Sequence, residues 1–137
     1  MTLRLSLAWL CVSVVFGAPS DADGGPKVDF KARIAPILEQ RCLRCHSPGN
    51  NKGEISLATS EDLRKNEYVV AGDPDSSYLL ELIQGADGQR PSMPKEGDAL
   101  SAEQVTLIAR WITEGAVWPE DVVVRNRSRA EIGRAHV

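Results

Sequence analysis

Potential metal ligands are scarce in this chain, whose 137 residues include three cysteines, two methionines and two histidines. Such small numbers exclude a metal-storage protein or a protein with many metal centres, because each centre needs several ligands. Aromatic residues make up only 5% of the chain, so few bulky side chains are available to fill a core. With a net charge of −3 there is no excess of positive charge, which excludes a strongly basic nucleic-acid binder.

The remaining composition is typical of one small globular domain. Hydrophobic residues account for 42% of the chain and charged residues for 26%, which argues against disorder. We find no internal repeat and no low-complexity tract. The length therefore predicts a single domain with a core of limited size.

The first 22 residues have the three regions of a secretory signal peptide. Arg4 precedes a short apolar run over residues 5–16, and small and polar residues follow, so that cleavage fits after Gly17 or after Ala22. The run is short for a membrane anchor, although an uncleaved signal anchor is the alternative. Cys11 lies within the run and is lost with it. We expect an exported protein, periplasmic or otherwise extracytoplasmic, with no stable membrane span after cleavage.

The C-terminal residues have an unusual coding signature. Residues 132–137 can be back-translated into the start of a widely used sequencing adapter, in which the next codon is a stop. We interpret residues 131–137, including His136, as an artefact and expect the natural chain to continue beyond about Ala130. The alternative is a genuine frayed polar tail. The predicted organisation is a signal peptide at 1–22, a domain at 23–120 and a linker or tail at 121–137.

Between these ends the pattern predicts three or four short helices joined by long loops. Residues 28–45 carry apolar side chains at helical spacing, and Asp29 can cap the start of this helix. Pro36 lies inside the pattern, so the helix either kinks there or begins near Ala35.

Two further helices are predicted from their terminal residues. Asp73 and Pro74 resemble an N-cap followed by proline at the first helical position, with an end at Gly85. Ser101 and Gln104 fit the capping box of the last helix. The apolar face of that helix consists of Val105, Ile108, Trp111 and Ile112. Loops as long as residues 85–100 usually wrap a ligand or carry function, and a large apolar cofactor would fill the centre.

The segment Cys42-Leu43-Arg44-Cys45-His46 is the motif that carries chemistry. Two cysteines separated by two residues, with a histidine directly after them, are typical of a c-type haem attachment site. At the end of a helix the two thiols point to one side, where each can add to a porphyrin vinyl group. The following imidazole can then reach the iron. We therefore predict one covalently attached haem c, held by Cys42, Cys45 and His46.

Three other interpretations of the motif compete with haem attachment. A thioredoxin-like redox pair would need a strand–helix context and has no use for His46. A zinc site would need a fourth ligand, and no further cysteine or credible histidine remains. A disulfide between Cys42 and Cys45 would close only a tiny loop and so stabilise the fold little.

Met93 is the candidate for the second axial ligand of the iron. The other methionine, Met1, lies in the signal peptide. Met93 stands in a loop beside Pro91 and Pro94, which restrict the backbone, rather than on an apolar helix face. A thioether opposite His46 would raise the reduction potential and close the iron to small substrates. The alternative is a surface methionine and an open or water-ligated iron.

Other candidate residues give weaker signals. Four positively charged side chains could bind haem propionates or a partner protein, although such residues are more often simply exposed to solvent. They are Arg41, Arg44, Lys52 and Lys95. Trp111 and Trp118 are expected in the core rather than as an electron conduit.

Taken in order, these segments resemble the planctomycete-type cytochrome c domain. The resemblance covers roughly residues 28–120. It rests on Phe30, Ile34-Ala35-Pro36-Ile37-Leu38, Arg41-Cys42-Leu43-Arg44-Cys45-His46, Lys52-Gly53, Gly72-Asp73-Pro74-Asp75-Ser76-Ser77, Ser92-Met93-Pro94, Leu100-Ser101, Trp111-Ile112, Gly115-Ala116 and Trp118-Pro119. Glu54-Ile55 departs from the family, which often has a further glycine there, and the stretch from Ala58 to Tyr68 is short and glycine-free.

The resemblance implies an all-α cytochrome c-like fold in which the first and last helices pack together around a covalently bound haem. It implies iron ligation by His46 and Met93 and suggests the N-terminal part of a longer exported protein. The expected function is single-electron transfer to a redox partner protein or an appended domain, without an enzymatic reaction and without nucleic acid. The alternatives are the electron-input domain of a larger enzyme and a haem sensor or peroxidase with an open iron site.

Overall fold

The computed structural model describes residues 26–86 and 88–126. The predicted signal peptide at 1–22 and the predicted artefact at 131–137 lie outside the described residues. Within them the chain is mostly helical, with four helices and a small two-stranded sheet. The prediction of an all-α fold is therefore confirmed in part, as a mostly helical chain that also has a small sheet. None of the helices in the described residues is long and apolar enough to cross a membrane.

The first helix, α1, covers residues 30–42 and runs through Pro36. Its middle, Ala35–Ile37, is α-helical, whereas Phe30–Ile34 and Leu38–Cys42 have the wider π-helical bonding. Pro36 has no N–H to donate, which interrupts the regular ladder without ending the helix. Asp29 caps the start as predicted, its carboxylate accepting from the Ala32 amide at 3.0 Å.

A tight hairpin follows α1. Strand β1, His46–Ser47, pairs antiparallel with strand β2, Asn50–Asn51, through a two-residue turn. A single turn of 3₁₀ helix, Lys52–Glu54, comes next. The hairpin reverses the chain directly after His46. Sequence composition predicted only a loop here, because two-residue strands leave no alternating pattern to detect.

Two short helices form the middle of the chain. Helix α2, Ser60–Arg64, is capped by Thr59 and continues into a 3₁₀ turn at Lys65–Glu67. Helix α3, Tyr78–Gln84, ends at Gly85 as predicted. The predicted start of α3 at Asp73-Pro74 is wrong. Asp73 accepts instead from the backbone amide and hydroxyl of Ser76, so it closes a turn before the helix, and Ser77 occupies the N-cap.

Helix α4, Ala102–Thr113, is the longest helix in the described residues. Ser101 and Gln104 form the predicted capping box, each side chain accepting from the other's backbone amide. Ile108, Trp111 and Ile112 are buried on one face. Both the start and the buried face of this helix are therefore confirmed.

Helices α1 and α4 pack together, as the resemblance implies. The rings of Phe30 and Trp111 lie 5.6 Å apart between centroids. Glu114, just after α4, accepts from the Val28 amide at 2.6 Å and from Arg110 Nε at 2.7 Å. The start of the first helix is thus fixed to the end of the last.

Residues 116–126 fold back over α1. Trp118 stacks near Phe30 and donates its indole N–H to the Val122 carbonyl at 2.8 Å. Val124 is only 2% exposed, and the Arg125 amide donates to Glu39 at 3.3 Å. The chain beyond residue 120 therefore contributes to the core.

Candidate haem site

The two motif cysteines lie on one turn at the end of α1. The Leu43 amide donates to the Leu38 carbonyl at 2.9 Å, and the Cys45 amide donates to the Cys42 carbonyl at 3.1 Å. Leu43 is fully buried, which anchors the turn to the core. Cys42 and Cys45 are half-buried free thiols. The turn thus holds two thiols beside each other at the edge of the core, as attachment to one porphyrin requires.

The Cys42 thiol is held in its protonated form. Burial raises the pKa of Cys42 to about 12, while the positive charge of Arg41 acts in the opposite direction and Cys45 adds to the rise. A redox-active dithiol instead needs a nucleophilic cysteine with a lowered pKa. The environment of Cys42 therefore disfavours thioredoxin-like chemistry.

The backbone of His46 is fixed by strand β2 and by the segment that contains Leu57. Its carbonyl accepts from the Leu57 amide at 2.9 Å, and it pairs with Asn51 across the sheet. The ring nitrogen Nδ1 is buried and has no hydrogen-bond partner among the described residues. Buried polar atoms normally have partners, so an imidazole with an unsatisfied nitrogen suits a ligand from outside the chain.

Met93 lies in the long irregular stretch between α3 and α4. Its side chain is half-buried and packs against the core, and its amide donates to the Leu82 carbonyl at 2.9 Å. We call residues 91–100 the Met93 loop. Arg90, directly before this loop, donates to the carbonyls of Pro94 and Gly97 within it. The thioether is thus carried by an ordered loop rather than by a helix.

Three side chains near the cysteine motif reach the Met93 loop. Arg41 donates from Nη2 to the Ala99 carbonyl at 3.3 Å. The Glu96 carboxylate lies 3.3 Å from Lys52 Nζ and 3.8 Å from Arg44 Nη2. The structure therefore places the Met93 loop beside the segment that carries Cys42, Cys45 and His46.

Sequence reasoning singled out the three cations but not their partners. It treated Arg41, Arg44 and Lys52 as solvated charges or propionate ligands, and it did not consider Glu96. Lys95 is exposed. In the sequence, Glu96 is distinguished only as an acidic residue three positions after Met93. Its pairing with Lys52 and Arg44 can be recognised only when the position of the loop is known.

The residues present fit a covalently held haem. The donor set combines two thiols for attachment with imidazole and thioether donors, which are the usual axial ligands of cytochromes c. In the described residues no group of three or more cysteine, histidine, aspartate or glutamate side chains is placed to hold a metal ion.

The family described as Planctomycete cytochrome C matches residues 42–97. This match supports a planctomycete-type cytochrome c domain in the chain. The match begins at the first motif cysteine and ends one residue after Glu96, so it includes His46, the hairpin and the loop position of Met93. Helices α1 and α4, which pack together behind the site, lie almost wholly outside it. No curated protein and no solved structure matches the chain.

Proposed function

We propose that this cytochrome c domain carries one covalent haem c and transfers single electrons after export from the cytoplasm. The observation that supports this most directly is the ordered turn presenting two free thiols immediately before His46, whose buried nitrogen lacks a protein partner. Haem supplies an iron centre that accepts and releases one electron when bound. No separate enzymatic reaction is proposed for the domain.

Cys42 and Cys45 attach the cofactor in this proposal. Each thiol would add across one vinyl group of the haem, its sulfur bonding to one vinyl carbon and its hydrogen going to the other, so that no external oxidant is needed. Because such a link is covalent, a small domain with 5% aromatic residues would retain a large cofactor.

His46 and Met93 would hold the iron in this proposal, through an imidazole nitrogen and a thioether sulfur. The hairpin fixes the backbone of His46, and the Met93 loop brings a soft thioether to the same part of the domain. A thioether ligand favours the reduced state and leaves no open coordination position. Both consequences suit electron transfer and disfavour binding of small gaseous or peroxide ligands.

Residues 1–22 act as the export signal, so the folded domain faces the periplasm or another extracytoplasmic space. The electron partner is a redox partner protein or an appended domain.

The test is a pair of visible spectra of the full chain, oxidised and reduced, after production in a host with cytochrome c maturation. We expect a sharp low-spin reduced spectrum and a weak far-red sulfur-to-iron band when oxidised. The haem should stay attached to the chain after denaturation. Absence of haem in a host that matures a control cytochrome would contradict the proposal.

The axial ligand is tested by Met93→Ala, with Ser92→Ala as the matched control on the neighbouring exposed residue. Met93→Ala should lose the far-red band, bind carbon monoxide in the reduced state and have a lower reduction potential. Ser92→Ala should keep the parent spectrum. If the parent chain itself is high-spin and binds carbon monoxide, the function shifts to ligand sensing or peroxidase chemistry.

A further inference from the structure

We propose that Glu96 is a positioning residue that holds the Met93 loop against the haem-binding motif through Lys52 and Arg44. These three side chains are called the clasp. The inference rests on the proposed function, because it assigns the clasp the task of keeping the Met93 thioether in place. It concerns the ordering of the loop, which is measurable without activity.

The contacts of the clasp join two separate parts of the chain. Arg44 stands between the two motif cysteines, and Lys52 follows the hairpin that carries His46. Both approach the single carboxylate of Glu96, with Nζ of Lys52 at 3.3 Å and Nη2 of Arg44 at 3.8 Å. One acidic group on the loop thus meets cations on both sides of His46 in sequence.

The position of Lys52 is itself fixed by the motif. Its amide donates to the Cys45 carbonyl at 2.9 Å. Asn50 donates from its side chain to the Arg44 carbonyl at 2.7 Å. Arg44 and Lys52 therefore project from a backbone segment that is ordered by its own hydrogen bonds. The clasp connects the Met93 loop to this segment.

Hydrogen bonds from Arg90 close the Met93 loop, and further hydrogen bonds connect it to neighbouring segments. Arg90 bonds the carbonyls of Pro94 and Gly97, which makes residues 90–97 move as a unit. Two further bonds attach the loop to other segments: Arg41 donates to the Ala99 carbonyl, and the Met93 amide donates to the Leu82 carbonyl. Glu96 adds the electrostatic contact nearest to the centre of the loop.

The clasp is exposed, and this sets the size of its effect. The side chains of Glu96, Lys52 and Arg44 are 64%, 56% and 65% exposed. Exposed ion pairs are weak and are screened by salt. The clasp therefore shifts the fraction of time for which the loop is closed, and does not determine whether the domain folds.

The experiment uses the haem-loaded full chain and compares Glu96→Gln and Glu96→Lys with the parent. Hydrogen exchange of a peptide containing Met93 reports opening of the loop, because the Met93 amide is bonded to Leu82. The rate at which added imidazole displaces the far-red band reports release of the thioether. Glu81→Gln, which removes an exposed acid from α3, is the matched control.

We expect Glu96→Gln to accelerate both processes about twofold to fivefold at low ionic strength, and Glu96→Lys to accelerate them more. The difference should shrink in about 1 M salt, where screening is nearly complete. Combining Lys52→Glu with Glu96→Lys should restore part of the protection. The control Glu81→Gln should match the parent.

Unchanged exchange in both Glu96 variants would overturn the clasp, as would failure of the charge exchange to restore any protection. These outcomes are separate from those of the proposed function. If the parent lacks the far-red band, ligation by Met93 is wrong, whereas hydrogen exchange still tests whether Glu96 holds the loop.

Discussion

The rings of Phe30 and Trp118 lie 4.3 Å apart between centroids with an interplanar angle of 35°. Phe30 begins helix α1, and Trp118 belongs to the segment that follows α4. Trp111 adds its indole to the same cluster at 5.6 Å from Phe30. Three of the few aromatic side chains are therefore concentrated where the start of helix α1 meets helix α4 and the segment after it.

This cluster predicts a large effect for Phe30→Ala. Phe30 is 3% exposed, and truncating a buried phenylalanine costs about 3–5 kcal/mol of unfolding free energy. Trp118→Ala should cost less, since its indole is half-buried. Urea denaturation followed by circular dichroism measures both. The double variant should reveal a coupling of about 0.5–1.5 kcal/mol, and strict additivity would contradict the ring contact.

Two adjacent valines provide a matched test of the C-terminal segment. Val124 is 2% exposed, whereas Val123 is 64% exposed. Val124→Ala should lower the unfolding free energy by about 1.5–3 kcal/mol through lost burial and a new cavity. Val123→Ala should change it by less than about 0.5 kcal/mol. Equal effects of the two variants in urea denaturation would show that residues beyond 120 do not pack as described.

Comparing alanine variants at Gly85 and Gly88 distinguishes the cost of backbone strain from the cost of a steric clash. Both have positive φ angles, 69° and 74°. A Cβ at Gly85 would lie 2.6 Å from the Gln89 carbonyl oxygen, whereas at Gly88 it meets nothing within 4 Å. We expect a loss of about 1 kcal/mol for Gly88→Ala and at least about twice that for Gly85→Ala, measured by urea denaturation. Equal losses would mean that the Gln89 carbonyl moves aside without penalty.

Glu114 predicts a pH dependence of stability. The Val28 amide, which donates to its carboxylate, and secondarily Arg110 lower the pKa of Glu114 below its ordinary value of 4.5. A lowered folded pKa stabilises the fold above the ordinary carboxyl range, and this stabilisation is lost as pH falls through the folded value. Glu114→Gln should therefore lower the thermal midpoint at neutral pH.

The difference between Glu114→Gln and the parent should narrow once pH falls below 4.5 and disappear when Glu114 is protonated in the parent. Thermal unfolding across this pH range measures it. The exposed Glu120→Gln is the control and should follow the parent at each pH. A difference that stays constant with pH would show that the charge of Glu114 has no part in joining the two ends.

The parts of the fold that the sequence predicted are those with local causes. Helix α4 has a capping box and an apolar face long enough to show helical spacing, and Asp29 and Gly85 mark helix ends through their own side-chain or backbone chemistry. The cysteine motif was likewise recognisable because attachment to one porphyrin fixes its spacing within five consecutive residues.

The parts that could not be predicted have ambiguous or very short local patterns, or depend on contacts between distant segments. Asp73-Pro74 has the local form of a helix start, yet Ser76 and Ser77 bond to Asp73 and form a turn there. Helix α2 has five residues, too few for a periodic pattern. The pairing of Glu96 with Lys52 spans 44 residues, and no spacing rule links two exposed charges in separate loops.

The contacts between the two ends also determine which parts of the domain open first. The bonds from Val28 to Glu114 and from Arg125 to Glu39 each span 86 residues. Segments at the border of a domain usually open easily, because little is lost when they detach. Here detachment of Val28 or of Arg125 would break a bond to a distant part of the described domain, so these two segments are expected to open together with the domain rather than by themselves.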